Sequence, residues 1–212
     1  MTKRVIITCG PSRTPLDALR FITNPSTGEL GALLADAFAA ARHHVICLRG
    51  IDATFSPKHA DVDVRTFDTN TALLARLREV KNPERIDAVF HVAALGDFTV
   101  GAVTQLDGTP MDAAKLPSRQ GSLLLRLDPA EKIIAHLRPL FPKATVVGWK
   151  FEMDGDRTQA IARALKQIRE NNLSACVVNG TAYGPGFGVL TPDGSLRPLP
   201  DKPSLCEHLL HC

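Results

Sequence analysis

Apolar positions along the chain alternate between two textures, short continuous runs and longer stretches with helical spacing. RVIITC is a short run and predicts a strand. GELGALLADAFAAARHH follows, with Leu30, Leu33, Leu34, Ala37, Phe38 and Ala41 on one helical stripe. HVICLRG and VDVRTF predict two more strands, and NTALLARLREV a helix capped by Thr69 or Asn70. IDAVFHVAAL is apolar almost throughout, as expected of a strand covered on both faces. Residues 98–121 lose the rhythm, turn rich in Gly, Thr, Pro and Ala, and are expected to form a mobile strand-loop flap. SLLLRL, PAEKIIAHLRPLF, ATVVGWKF, DRTQAIARALKQIRENN and SACVVN then read as strand, helix, strand, helix and strand, with Asp154 or Asp156 starting the second helix. GFGVLTPDGSLRPLP predicts a hairpin turning at Pro-Asp-Gly, and SLCEHLLHC a short closing helix.

Strands and helices in alternation predict an α/β protein, a Rossmann-like three-layer fold with a mostly parallel sheet, the flap and a C-terminal hairpin. The 212 residues suit one domain, 1–212, with a substantial core. Ligands of such sheets collect beyond the carboxyl ends of the strands. CGPSR, LGDF, KFEMD and NGTAYG all fall there, which points to one shared site.

Composition narrows the class without naming it. Apolar residues make up 44% and charged residues 22%, as in ordinary globular proteins. A net charge of +3 gives no argument for nucleic acid. Five cysteines at 9, 47, 176, 206 and 212 form no CxxC pair, so the reading is a reduced, cytoplasmic protein without disulfide framework or metal site. The apolar part of the N-terminus is short for a signal peptide, and no apolar run is long enough to span a membrane.

The connection from Gly10 to Thr27 is far longer than the roughly 2–6 residues usual between strand and helix. It ends in NPSTGELG. Ser26 or Thr27 is expected to cap the helix, and Gly28 and Gly31 to let backbone approach a ligand. A helix start offers free N–H groups and partial positive charge, which suits phosphate. The dinucleotide fingerprint needs three glycines in a tight turn directly after the first strand, whereas Gly10 stands alone here. Asp97, at a strand end, suits a ribose, a base amine or a metal held through water. His91, inside an apolar run, reads as a satisfied core histidine. His43 and His44 end a helix, and His136, His208 and His211 read as surface positions. Lys115 and Arg119 stand in the flap, where a lysine can close over phosphate. Arg163, Lys166 and Arg169 share a helix face that suits an anion or water.

In this order the pieces resemble phosphopantothenate–cysteine ligase, also called phosphopantothenoylcysteine synthetase. The family stretch GGT-x-E-P-x-D-x-V-R-[FY]-I-[ST]-N-x-S-[ST]-G stands here as CGPSRTPLDALRFITNPSTG, with Pro15, Asp17, Arg20, Phe21, Ile22, Asn24, Ser26 and Gly28 matching. Its AAVADF stands as HVAALGDF, its KIKK as KLPS, its VGFKAET as VGWKFEM, and its strand-ending AN as Val178 and Asn179. The resemblance implies that 4′-phosphopantothenate attacks the α-phosphate of CTP or ATP, forming an acyl-nucleotide that the amine of cysteine then attacks. The place would be coenzyme A assembly. It implies Asn24, Arg20 and Lys115 as catalytic residues; Gly10, Ser12, Ala93, Asp97, Lys115, Trp149 and Lys166 around the nucleotide; and Ser26, Thr27 and Gly28 at the substrate. Mg²⁺ would travel with the triphosphate, no flavin is expected, and the partners are small molecules and a second copy in a homodimer, not nucleic acid or membrane.

Departures from the family pattern keep other functions open. Pro11 and Ser12 replace residues of GGT, Glu29 replaces a lysine at the helix start, Glu170 replaces a helix lysine, and one lysine of KIKK survives. Those losses of positive charge fit a non-catalytic nucleotide- or metabolite-binding relative. A dinucleotide-dependent oxidoreductase would need the missing fingerprint and an acid where Arg49 ends the second strand.

Overall fold

The computed structural model describes residues 2–111, 114–117 and 121–212. In chain order the elements are β1 (Arg4–Cys9), β2 (Arg13–Pro15), β3 (Phe21–Thr23), α1 (Glu29–Ala40), β4 (His44–Gly50), β5 (Val62–Phe67) and α2 (Asn70–Arg78). Then come β6 (Ala88–His91), β7 (Phe98–Gln105), β8 (Leu123–Pro129), α3 (Ile134–Leu140), β9 (Thr145–Phe151) and α4 (Arg157–Asn171). The chain closes with β10 (Ala175–Asn179), β11 (Phe187–Leu190), β12 (Leu196–Leu199) and α5 (Lys202–Leu210).

Eight strands form the main sheet in the order β12-β11-β10-β9-β6-β1-β4-β5. All neighbours from β10 to β5 pair in parallel, and the β11–β12 hairpin adds antiparallel strands at one edge. The chain lays β4 and β5 on one side of β1, then returns to lay β6, β9 and β10 on the other. That reversal opens a crevice at the carboxyl ends of β1 and β6.

Period-two alternation along β1 divides the core. Val5, Ile7 and Cys9 pack with Leu34 and Phe38 of α1 and Leu205 and Leu209 of α5. Ile6 faces the opposite way, into a cluster with Leu73 and Leu77 of α2, Leu137 of α3, and Ala164 and Ile168 of α4. The three layers expected from the sequence are therefore present, with both sheet faces covered. Helix α2 starts at Thr69, whose hydroxyl accepts the Ala72 N–H, and α4 carries a full capping box between Asp156 and Gln159. Among the described residues no helix is long and apolar enough to cross a membrane.

One element departs from expectation. SLLLRL does not enter the main sheet; as β8 it pairs antiparallel with β7 in a separate two-stranded ribbon, with Leu124, Leu125 and Leu127 exposed. An apolar run marks a strand and carries no information on which sheet that strand joins. Residues 98–105 of the expected strand-loop flap form β7, whose pairing with β8 shifts register between Val100 and Ala102, while Arg119 lies outside the described residues.

Candidate functional site

A cleft of about 1220 Å³ lies over the carboxyl ends of the central strands. Its walls are the Asn24–Gly31 segment, the Ala93–Asp97 segment, the turn before α3, and the face of α4 that carries Arg163, Lys166 and Glu170. Trp149 of β9, Asn179 of β10 and His91 of β6 also line it.

The long connection after β1 has a physical reason to return. Its middle folds into the small β2–β3 hairpin, and its end brings Gly28 back against Gly10 and Ala53. Both glycines hold positive φ, 79° at Gly10 and 76° at Gly28. A Cβ on Gly10 would stand 2.7 Å from the Ala53 Cβ, so the close meeting requires glycine. Two residues 18 apart in sequence thus build the tight strand-end environment that a short glycine turn builds in dinucleotide folds.

Helix α1 is not capped by Ser26 or Thr27 as expected. Gly28 is the N-cap residue and has no side chain to offer, and Thr27 Oγ1 only accepts a long 3.4 Å bond from the Glu29 N–H. The N–H groups of Leu30 and Gly31 consequently have no acceptor among the described residues. They stand at the positive end of the helix on the cleft wall, a place that suits an anion.

The Ala93–Asp97 wall is fixed by side chains from three elements. Asn24 Nδ2 donates to the Leu95 carbonyl at 3.0 Å, and Asn70 Nδ2 to the Gly96 carbonyl at 2.9 Å. Ser12 Oγ accepts the Gly96 N–H at 2.9 Å. Asn24 retains a second amide hydrogen beyond the one that holds Leu95.

Of the residues picked from sequence, Gly10, Asn24, Ser26, Thr27, Gly28, Ala93, Asp97, Trp149 and Lys166 line this one cleft. Three do not. Ser12 is buried, its hydroxyl occupied by Gly96, and acts as a latch between strand ends. Arg20 is held by Asp17 and donates to the Leu116 carbonyl at 2.7 Å, away from the cleft wall. Lys115 is exposed in the segment that Asp17 and Arg20 tie down. The Arg20 guanidinium and then the Leu19 N–H hold the Asp17 carboxyl well below the usual carboxylate range.

Charge at the cleft differs from the pattern read in sequence. Lys202, at the start of α5, pairs with Glu29 and returns a cation to the helix start where Glu29 replaces a lysine. Asp97 pairs with Lys132 at 2.5 Å. Glu152 is buried beside the cleft, with Lys150 at 3.2 Å and Arg163 also bound to it. Arg163 is therefore less free to meet an anion than its helix position suggested. Lys166 lies 3.7 Å from Glu170. Lys132, Lys150 and Lys202 were missed in sequence; Lys150 and Glu152 stand inside the quoted VGWKFEM, whereas Lys202 has no local signal.

Three buried polar atoms on the cleft residues have no partner among the described residues: Asn70 Oδ1, Trp149 Nε1 and Asn179 Oδ1. Such atoms are costly when left unpaired, so each calls for a water or a polar ligand as partner. Arg49, near the end of β4, donates to the carbonyls of Phe55 and Ala53, and the carboxylate that follows, Asp52, is bound to Arg13 at 2.6 Å. Among the described residues no cluster of three or more His, Cys, Asp or Glu could hold a metal ion.

Comparison with known proteins supplies the family and the fold. The family model described as DNA/pantothenate metabolism flavoprotein C-terminal domain matches residues 1–196. The coenzyme A biosynthesis bifunctional protein CoaBC of Bacillus subtilis is 30% identical over 207 residues, covering 93% of this chain and 47% of that protein. A cysteine/cysteine sulfinic acid decarboxylase from an unknown prokaryotic organism is 32% identical over 188 residues, covering 88% of this chain and 48% of that protein. The chain thus spans about half the length of these curated relatives. Among solved structures, the DNA/pantothenate metabolism flavoprotein of Streptococcus pneumoniae superposes with a TM-score of 0.85 at 20% identity, covering 99% of this chain and 97% of that one. A Cab2 mutant in complex with phosphopantothenate-cysteine superposes with a TM-score of 0.74 at 20% identity, covering 98% and 83%. The glycine contact at the strand ends, the returning loop and the crevice beside β1 sit within the matched residues, and the chain belongs to the DNA/pantothenate metabolism flavoprotein C-terminal domain family.

Proposed function

We propose that this protein joins 4′-phosphopantothenate to cysteine through an acyl-nucleotide, in coenzyme A biosynthesis, with CTP or ATP as cosubstrate. The observation that carries the reading is the gathering of four separated motifs, through Asn24, Asp97, Trp149 and Asn179, on the walls of one cleft.

In the first step a carboxylate oxygen of the acid attacks the α-phosphorus, and pyrophosphate leaves with the bonding pair. In the second, the cysteine amine attacks the acyl carbon, the nucleoside monophosphate leaves, and the amine loses a proton. Neither step needs a covalent nucleophile on the protein, so placement and charge stabilisation are its contribution. The free N–H groups of Leu30 and Gly31 would receive phosphate oxygens. The second amide hydrogen of Asn24 would stabilise the oxyanion that forms as the amine attacks. Trp149 would stack near the base, and Lys166, whose contact with Glu170 is a long 3.7 Å, would neutralise phosphate charge. Magnesium would accompany the triphosphate.

Arg20 and Lys115 belong to a unit outside the cleft wall, held together by Asp17. Their role in this reading is to meet phosphate when that unit closes over a cleft, its own or that of a second copy. The exposed Leu124, Leu125 and Leu127 on β8, with Phe98 on β7, would pack in a homodimer. A place in the cytoplasm accords with five free cysteines among the described residues.

The test is to incubate the protein with phosphopantothenate, cysteine, magnesium and either CTP or ATP, and to follow pyrophosphate. Release that requires phosphopantothenate is expected. Nucleotide binding without release would favour a non-catalytic relative, a reading that the position of Arg20 and Lys115 outside the cleft supports.

A further inference from the structure

His91 ends β6 at the floor of the cleft and is 7% exposed. Its apolar neighbours predicted a core histidine with its hydrogen bonds satisfied. Among the described residues only one ring nitrogen finds a partner. Nδ1 lies 2.8 Å from Thr8 Oγ1, on the adjacent strand and in direct register. The same hydroxyl accepts the Ala93 N–H at 3.3 Å.

Those two contacts argue for one tautomer. Thr8 is fully buried, and its hydroxyl proton needs an acceptor. Nδ1 is the one within reach among the described residues. Were Nδ1 protonated, the hydroxyl proton would be left unpaired in the core, at a cost of about 1–3 kcal/mol. Nδ1 therefore accepts, and the ring proton sits on Nε2. Burial pushes the imidazole down to about 4, so the ring is neutral at pH 7. Nε2 has no partner among the described residues, in a side chain that lines the cleft. On the same wall, Asn70 Oδ1 also lacks a partner.

We propose that His91, oriented by Thr8, donates its Nε2–H to an oxygen of the nucleotide bound in the cleft. The proposal rests on the nucleotide cosubstrate inferred above. A single residue, Val92, separates His91 from the Ala93–Asp97 wall that Asn24 and Asn70 hold in place. The side chain shares the sheet face of Val89, the face covered by α2, α3 and α4, so the oxygen it meets lies on that side of β6. A neutral donor on a rigid strand adds specificity without adding charge to a cleft already laced with ion pairs.

The experiment uses ¹⁵N-histidine-labelled protein and long-range ¹⁵N–¹H correlation. The free protein should show His91 with Nε2 protonated and Nδ1 as acceptor, and titration with CTP or ATP should shift Nε2. His91→Leu should weaken nucleotide binding about fivefold to tenfold, the worth of one neutral hydrogen bond. His91→Gln, which keeps a side-chain N–H, should stay within about threefold of wild type. A proton on Nδ1 overturns the proposal, as does unchanged affinity in His91→Leu. Nucleotide that moves the Ala93 and Asp97 amides and leaves Nε2 unmoved overturns it while leaving the ligase reading in place. Absence of any nucleotide binding overturns both. The wild-type spectrum decides the matter even if a variant does not fold.

Discussion

Gly31→Ala tests whether α1 lies as close to β1 as the cleft requires. Gly31 is in the first turn of α1, buried against Cys9 of β1. A Cβ built there would stand 2.2 Å from the Cys9 Cβ and 3.5 Å from its Cα. Comfortable carbon–carbon contact is about 3.5–4.0 Å, so the overlap exceeds an ångström. The opposing atom is a Cβ fixed to a central strand, and no rotamer change moves it. Helix propensity pulls the other way, since alanine is favoured over glycine by about 1 kcal/mol in a helix interior. Overpacking costs about 1–3 kcal/mol and occasionally more. The helix must retreat from the sheet, and the net is a loss of about 1–2 kcal/mol. For a chain of this size each kcal/mol lowers Tm by about 2–4 °C.

Urea unfolding followed by circular dichroism reads the loss directly. Cys9→Gly removes the opposing Cβ, at its own cost in strand entropy and packing. Combined, the two substitutions should be less damaging than the sum of the singles, with a coupling of about 1 kcal/mol or more. A stabilised Gly31→Ala, showing the propensity gain alone, or strict additivity in the cycle, would refute the close approach. The same variant shifts the free N–H groups of Leu30 and Gly31, so nucleotide affinity should fall with stability.

Three further outcomes are expected. Asp17 has a carboxyl held below its ordinary value of 3.8, so its contribution to stability is complete above that pH and disappears as pH falls through the lowered range. Asp17→Ala should abolish this acid-dependent part and speed hydrogen exchange at the Leu19, Arg20 and Leu116 amides, whose bonds end on that side chain; unchanged protection there would contradict the hold of Asp17 on this unit. Lys202→Met leaves Glu29 without its cation at the start of α1 and should weaken triphosphate binding about threefold to tenfold, more at low salt than at high, with isothermal titration at two ionic strengths as the check. Asn24→Asp should slow amide formation more than acyl-nucleotide formation, measured as separate half-reactions in single turnovers; equal losses would contradict the oxyanion role.

The sheet was legible because burial on both faces writes itself as continuous apolar runs, and β1, β4, β5, β9 and β10 appear within a residue or so of where those runs lie. The helices were legible through spacing and caps, as at Thr69 and Asp156. β6 shows where that reasoning weakens. IDAVFHVAAL is apolar almost throughout, yet the regular strand ends at His91, an isolated bridge joins Ala94 to Pro11 beyond it, and Ala93–Asp97 becomes cleft wall held by Asn24, Asn70 and Ser12. Hydrophobicity there reports a covered segment, and the hydrogen bonds that decide its course come from residues far away in sequence.

The same separation explains the site residues that sequence missed. Glu29 and Lys202 meet across 173 positions, and Thr8 and His91 across 83. Local spacing carries no trace of either pair; both follow from strand order and from two helices sharing one face of the sheet. Glu29 in isolation reads as a charge lost beside phosphate, and His91 in isolation reads as inert packing. Placed against their partners, the first is neutralised and the second becomes an oriented donor. A substitution at one such position therefore has a meaning only through the element packed against it, and the charge of this cleft has to be judged from its pairs, not from its motif residues one by one.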